Sequence, residues 1–167
     1  MRKNILEVMM EGFTVALALV DAIPVVAFGA AMLTVAAKFG SPVFIVGAAL
    51  STLAGCLKVA WKLILGIWKK DLRWLNKPFV PMQASGFLLM LLSFILDFGK
   101  ISWPGVLAAV TGFPALLFFI LWFGFMGTMV WYRKNRFDHD NARSNWIAQF
   151  INCAGQLCLL LAVLLAG

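Results

Sequence analysis

The 167-residue chain is 63% hydrophobic and 13% charged, about half of the roughly 25% charged residues found in soluble domains. This composition excludes an ordinary soluble domain, and the loops are too short to form one beside a membrane bundle. The net charge of +7 could indicate nucleic-acid binding. However, the basic residues lie directly beside apolar segments, where they set topology and contact anionic lipid head groups. We therefore expect a lipid bilayer, and no nucleic acid, as the partner of these charges.

Five apolar segments, each long enough to cross a bilayer as a helix, follow a short amphipathic lead-in over residues 1–10. They predict an all-α fold: a polytopic integral membrane bundle that forms a single membrane domain over residues 1–167. The predicted spans cover approximately residues 11–37, 42–68, 78–98, 106–132 and 142–166.

Prolines and small residues predict local features of these spans. Pro24 lies near the middle of the first span and Pro114 within the fourth, and each should kink its helix because proline removes a backbone hydrogen bond. Gly47, Ser51 and Gly55 recur every four residues on the second span, which allows another helix to approach closely. We expect this stripe to contact the first span or, if that span does not fill it, a second copy of the chain.

The basic residues predict the orientation of the bundle. Ten of the fourteen Lys and Arg residues lie in the N-terminal segment and in the second and fourth loops. Only Lys38 and Lys100 lie on the other side, and Lys58 and Lys62 lie inside a span. Because cytoplasmic loops retain Lys and Arg, we expect the N-terminus inside and the C-terminus outside. The absence of an Asn-x-Ser/Thr glycosylation signal favours a bacterial cytoplasmic (inner) membrane.

Three charged residues inside the spans are candidate functional residues, because charges in the bilayer core are costly. Asp21 and Lys58 each lie about 15 Å from the cytoplasmic end at 1.5 Å of helix rise per residue. This matching depth predicts an Asp21–Lys58 pair. The pair is either part of a site for a polar ligand or proton movement, or a structural pair that fixes the register of two spans. Lys62 either joins that site or extends its side chain to the cytoplasmic surface.

The fifth span carries a stripe of amides. Asn145, Gln149, Asn152 and Gln156 follow one another at spacings of four, three and four residues, which places them on one helical face. The face should point inward, where the amides either bind a ligand or ion or join helices by hydrogen bonds. The predicted substrate- or ion-binding residues are Asp21, Lys58, Lys62, Gln149, Asn152 and Gln156.

These features favour a small transporter or channel-like protein that moves a small polar or ionic solute through a polar site at mid-membrane. The alternatives are an accessory or assembly subunit that transports nothing, and a membrane-embedded binding protein or enzyme for an amphipathic ligand. We expect no catalytic residues, metal or cofactor, because no catalytic or metal-ligand pattern is present and the single histidine, His139, lies in a loop. Because 18.4 kDa is small for a complete transporter, we expect a homo-oligomer or a partner membrane subunit.

Overall fold

The computed structural model describes residues 15–137 and 142–166, and the predicted lead-in over residues 1–10 lies outside these ranges. Within them the chain forms six α-helices and two short 3₁₀ turns, so the predicted all-α fold is confirmed. The helices are α1 (Val15–Phe39), α2 (Pro42–Trp68), α3 (Phe79–Leu96), α4 (Trp103–Thr111), α5 (Ala115–Asn135) and α6 (Ala142–Leu165). All of them except α4 are long and apolar enough to cross a membrane.

The five long helices pack in a row that differs from their order in the chain. α2 packs against both α1 and α3, α1 packs against α6, and α6 packs against α5. The outer helices of the row, α3 and α5, make at most marginal contact with each other among the described residues. Only 17% and 11% of their most apolar segments are buried, compared with 39% for each of the three inner helices. The edges of the row are therefore available to lipid or to another protein.

The predicted fourth span is wrong, because residues 106–132 do not form one helix. α4 ends at Thr111 and α5 begins at Ala115, with a cis Phe113–Pro114 peptide bond between them. Pro114 has no N–H to donate to the preceding turn, and its ring disfavours helical backbone at the residue before it. Pro114 thus separates two helices instead of bending one. α4 has nine residues and a length of about 14 Å, less than half of a hydrocarbon core of about 30 Å.

Glycines set the register between α1 and α2. A methyl group at Gly55 would lie 2.9 Å from Val25 Cγ2, and one at Gly66 would lie 3.2 Å from Val15 Cγ2. Each glycine therefore receives a valine side chain from α1. The two residue numbers add to 80 in the first pair and to 81 in the second, as expected for antiparallel helices in continuous register.

α2 and α3 approach each other through their backbones. A methyl group at Gly47 would lie 2.7 Å from the carbonyl oxygen of Gly86. One at Gly86 would lie 2.7 Å from the carbonyl oxygen of Gly47 and 2.9 Å from the backbone nitrogen of Ser51. α3 therefore covers Gly47 and Ser51, and α1 covers Gly55, so the small-residue stripe of α2 is filled within the chain.

A carboxylate ties the α1–α2 connection to the end of α3. Ser41, the N-cap of α2, donates a hydrogen bond of 2.6 Å from Oγ to Oδ2 of Asp97. The ammonium of Lys100 contacts Oδ1 of the same carboxylate at 2.6 Å. The hydrogen bonds from Lys100 and Ser41 hold the pKa of Asp97 below its ordinary value of 3.8. These contacts fix the end of the bundle that lies opposite the basic loops.

Asp97 should make stability depend on pH at the acidic end of the scale. A carboxylate whose pKa is lower in the folded than in the unfolded state stabilises the fold fully at a pH above the unfolded-state pKa. This stabilisation is lost as the pH falls through the folded-state pKa. We expect Asp97→Asn to lower the melting temperature at pH 7, and the difference from the wild type to narrow as the pH falls below 3.8. Thermal unfolding in a pH series measures this difference, and a difference that stays constant down to acid unfolding would contradict the assignment.

Candidate functional site

The buried carboxylate of Asp21 pairs with Lys62, and the predicted direct Asp21–Lys58 pair is wrong. Lys62 Nζ lies 2.6 Å from Asp21 Oδ2, and the two side chains are only 7% and 4% exposed. This separation is that of an ion pair, although the angles are not those of a hydrogen bond. Burial also rules out the alternative in which Lys62 extends to the cytoplasmic surface.

The helix register explains this choice of partner. Extending the register of α1 and α2 places Asp21 opposite residues 59 and 60. Lys58 and Lys62 lie one turn apart on the same face of α2, one on either side of that position. Asp21 is therefore flanked by two lysines and forms its close pair with the one nearer to the basic loops.

The ammonium of Lys58 lies against an aromatic ring. Its Nζ is 4.5 Å from the centroid of Phe79, the first residue of α3. Among the residues that the structure describes, no carboxylate lies within 4.0 Å of this ammonium. A cation–π contact is worth about 0.5–2 kcal/mol, less than the cost of holding a charge away from water. Lys58 is thus a partly buried cation without a direct counter-charge in the described part of the chain.

A cavity of about 280 Å³ opens beside these charges. All five spanning helices contribute to its walls, so the row of helices must curve around it. Phe28, Phe87 and Met126 supply apolar surface. The polar residues that line the cavity are Asp21, Ser51, Thr52, Lys58, Gln83, Asn152 and Gln156.

The cavity brings together four of the six residues predicted to bind a substrate or ion: Asp21, Lys58, Asn152 and Gln156. They come from the consecutive helices α1 and α2 and from α6, which is distant from both in sequence. Their binding role is still a prediction, but their proximity is a feature of the structure.

The other two predicted residues, Lys62 and Gln149, do not line the cavity. Lys62 adjoins the cavity through its ion pair with Asp21. Gln149 lies two turns of α6 before Gln156 and is 7% exposed, and its Oε1 accepts no hydrogen bond from a described residue.

Several polar groups in the cavity wall have no hydrogen-bond partner of ordinary length among the described residues. The side chain of Asn152 makes no hydrogen bond within residues 15–137 and 142–166. Gln156 donates only a long contact of 3.8 Å from Nε2 to Met126 Sδ, and its buried Oε1 is unpartnered in the same ranges. Ser51 Oγ is likewise buried without a partner there. An unsatisfied buried polar group costs about 1–3 kcal/mol, so a polar molecule in the cavity would recover this free energy.

Sequence reasoning missed the contribution of α3. Phe79, Gln83 and Phe87 are spaced by four residues and lie on the face of α3 that lines the cavity. A glutamine on the same face as two phenylalanines was a detectable signal. The sequence could not show what this face of α3 lies against. The position of α3 depends on its close backbone contact with α2 at Gly47 and Gly86.

The length and composition of the five spans are those of an integral membrane protein. This protein is a small helical one, with a cavity between its spans that is lined in part by polar side chains. Within the described ranges, no group of three His, Cys, Asp or Glu side chains could hold a metal ion. No protein-family model, curated protein or solved structure matches the chain.

Proposed function

We propose that this protein is a small membrane transporter or channel-like protein that moves a small polar or ionic solute through the cavity between its five spans. The observation that carries the proposal is one cavity lined by Lys58, which has no carboxylate within 4.0 Å, and by Asn152, which makes no side-chain hydrogen bond, among the described residues. Polar groups that only join helices would be satisfied by those helices. Groups directed into a cavity are instead available to a solute.

The proposal includes an orientation and an assembly. The basic loops after α2 and α5 lie on the cytoplasmic side, with the N-terminus inside and the C-terminus outside. A bacterial cytoplasmic membrane is the proposed location. The exposed outer helices, α3 and α5, are where a second copy or a partner subunit would complete the bundle.

A second candidate function, binding of an amphipathic ligand, is favoured by a larger cavity at the opposite end of the bundle. This cavity has a volume of about 490 Å³ and apolar walls from α4 and its neighbours. Lys38 and Lys100 lie at its edge and could contact an anionic head group. Lys100 is already paired with Asp97, however, whereas Lys58 has no carboxylate within 4.0 Å among the described residues.

Osmotic flux in proteoliposomes tests the transport proposal across a panel of candidate solutes. We expect stopped-flow light scattering to show faster entry of at least one small polar solute or salt than into empty liposomes. Replacing Asn152 with leucine keeps the side-chain size and removes the amide, and should slow that entry about tenfold, the equivalent of roughly 1.4 kcal/mol.

The matched control for the flux assay is Asn135→Leu, which removes the same amide from an exposed position at the C-terminal end of α5, outside the cavity. It should leave the rate unchanged. Equal rates in wild-type and empty liposomes across polar and ionic solutes would overturn the transport proposal and leave the accessory-subunit alternative.

A further inference from the structure

We propose that the mid-membrane cavity binds a singly charged anion, an inference that rests on the proposed function and specifies its solute. One carboxylate, Asp21, and one ammonium group, Lys58, line the cavity, and the carboxylate is paired with a second ammonium group, Lys62, which lies outside the lining. These three groups together carry a net charge of +1 when all are ionised, and the guanidinium of Arg133 on α5 adds positive potential at Lys58. Phe79, the aromatic partner of Lys58, contributes no formal charge.

The charge count selects the valence of the ligand. An isolated charge in a low-dielectric interior is costly, and a counter-ion that makes the site neutral removes most of that cost. One singly charged anion leaves the site neutral. A doubly charged anion would leave a net charge of −1, and a cation would raise the net charge to +2, so both are disfavoured.

The remaining polar groups can donate hydrogen bonds to an anion. Asn152 presents an amide group with no partner among the described residues. Ser51 is 2% exposed, lines the cavity and has no described hydrogen-bond partner at Oγ. Ammonium, amide and hydroxyl donors are the groups that coordinate carboxylates and halides, and charge-assisted hydrogen bonds are the stronger ones.

The cavity is large enough to hold a small anion together with water. A volume of about 280 Å³ admits chloride, nitrate or a short carboxylate with some water, since one water occupies about 30 Å³. A carboxylate or phosphodiester on an acyl chain has the same charge, and Phe28 and Phe87 offer apolar wall for such a chain. The test therefore includes both a soluble and a lipid-borne source of the same anionic group.

Thermal unfolding of the purified protein in uncharged detergent, at constant ionic strength, measures anion binding. The buffer salt is a bulky sugar-acid anion, which is replaced stepwise by chloride, nitrate, acetate, sulfate or, in trace amounts, myristate. We expect a saturable rise in melting temperature with at least one singly charged anion and none with sulfate. A response to chloride, nitrate or acetate identifies a soluble solute, and a response to myristate alone identifies a lipid-borne one.

Two variants connect this response to the cavity. Lys58→Gln should abolish the saturable rise, whereas Lys70→Gln, which removes the same charge from an exposed loop position, should leave it intact. Asp21→Asn changes the net charge of the site from +1 to +2 and should extend the response to sulfate. The wild-type titration does not depend on the folding of either cavity variant.

The inference is overturned if no singly charged anion gives a saturable rise, or if the rise survives in Lys58→Gln. Its failure can be distinguished from failure of the transport proposal. Flux of a cation or neutral solute without anion binding would overturn the inference alone, and anion binding without flux of any solute would overturn the transport proposal alone.

Discussion

Replacing Asp21 with asparagine should destabilise the protein by about 3–5 kcal/mol, the usual cost of removing one partner of a buried ion pair. The reason is that Lys62, whose side chain is 7% exposed, would lose the carboxylate with which it is paired, and Lys58 would lose the same carboxylate as a nearby negative charge. Unfolding of the purified protein by titration with a denaturing detergent measures this loss.

Two further variants separate a structural pair from a general loss of packing. Lys62→Met should cost less than Asp21→Asn, because Lys58 lies one turn away and can take over the carboxylate. The double variant Asp21→Asn, Lys62→Met removes both buried charges and should recover most of the stability lost in Asp21→Asn. If the two single changes cost the same and their effects add in the double variant, the ion pair does not have the stabilising role assigned to it.

Replacing Gly86 with alanine should destabilise the protein by about 1–3 kcal/mol, because the added methyl group meets backbone atoms of α2 that cannot rotate away. The methyl carbon would lie 2.7 Å from the Gly47 carbonyl oxygen and 2.9 Å from the Ser51 nitrogen. The two helices would therefore have to separate. Since Gln83 lies on the same face of α3 and lines the cavity, solute flux should fall as well.

The control for this prediction is Gly124→Ala, another change of a helical glycine. Nothing lies within 4 Å of the added methyl group at Gly124, and alanine favours a helix over glycine by up to about 1 kcal/mol. The control should therefore be neutral or slightly stabilising in the same unfolding assay. Equal effects at the two positions would show that α2 and α3 are not held in close backbone contact.

Much of the fold could be predicted from the sequence because apolar length is a strong signal in membrane helices. The second span was predicted over residues 42–68, and α2 has the same limits. Its start is marked in the sequence by Ser41, the N-cap, and by Pro42 at the first helical position. The fourth span failed because apolar residues continue without interruption across Gly112 and Pro114. Hydropathy alone cannot separate a kinked helix from two helices, and only the local backbone decides between them.

The sequence predicted which residues lie in the candidate site better than it predicted which of them pair with each other. The spacing of Asn152 and Gln156 predicted that both lie on one face of the fifth span. Helix rise predicted that Asp21 and Lys58 lie at similar depth. All four residues line one cavity. Rise does not fix how two helices slide past each other. That register depends on where valines of α1 lie against glycines of α2, and a shift of one or two residues was enough to exchange Lys58 for Lys62 as the partner of Asp21.

The most direct test of the central claim, that the cavity beside Lys58 holds a polar solute, is a high-resolution crystal structure of the protein grown from a lipid phase. We expect ordered water or a bound anion in contact with the Lys58 ammonium and the Asn152 amide, in a cavity lined by all five spans. A dry site, in which the helices close on one another and every amide is hydrogen-bonded to a neighbouring helix, would contradict it.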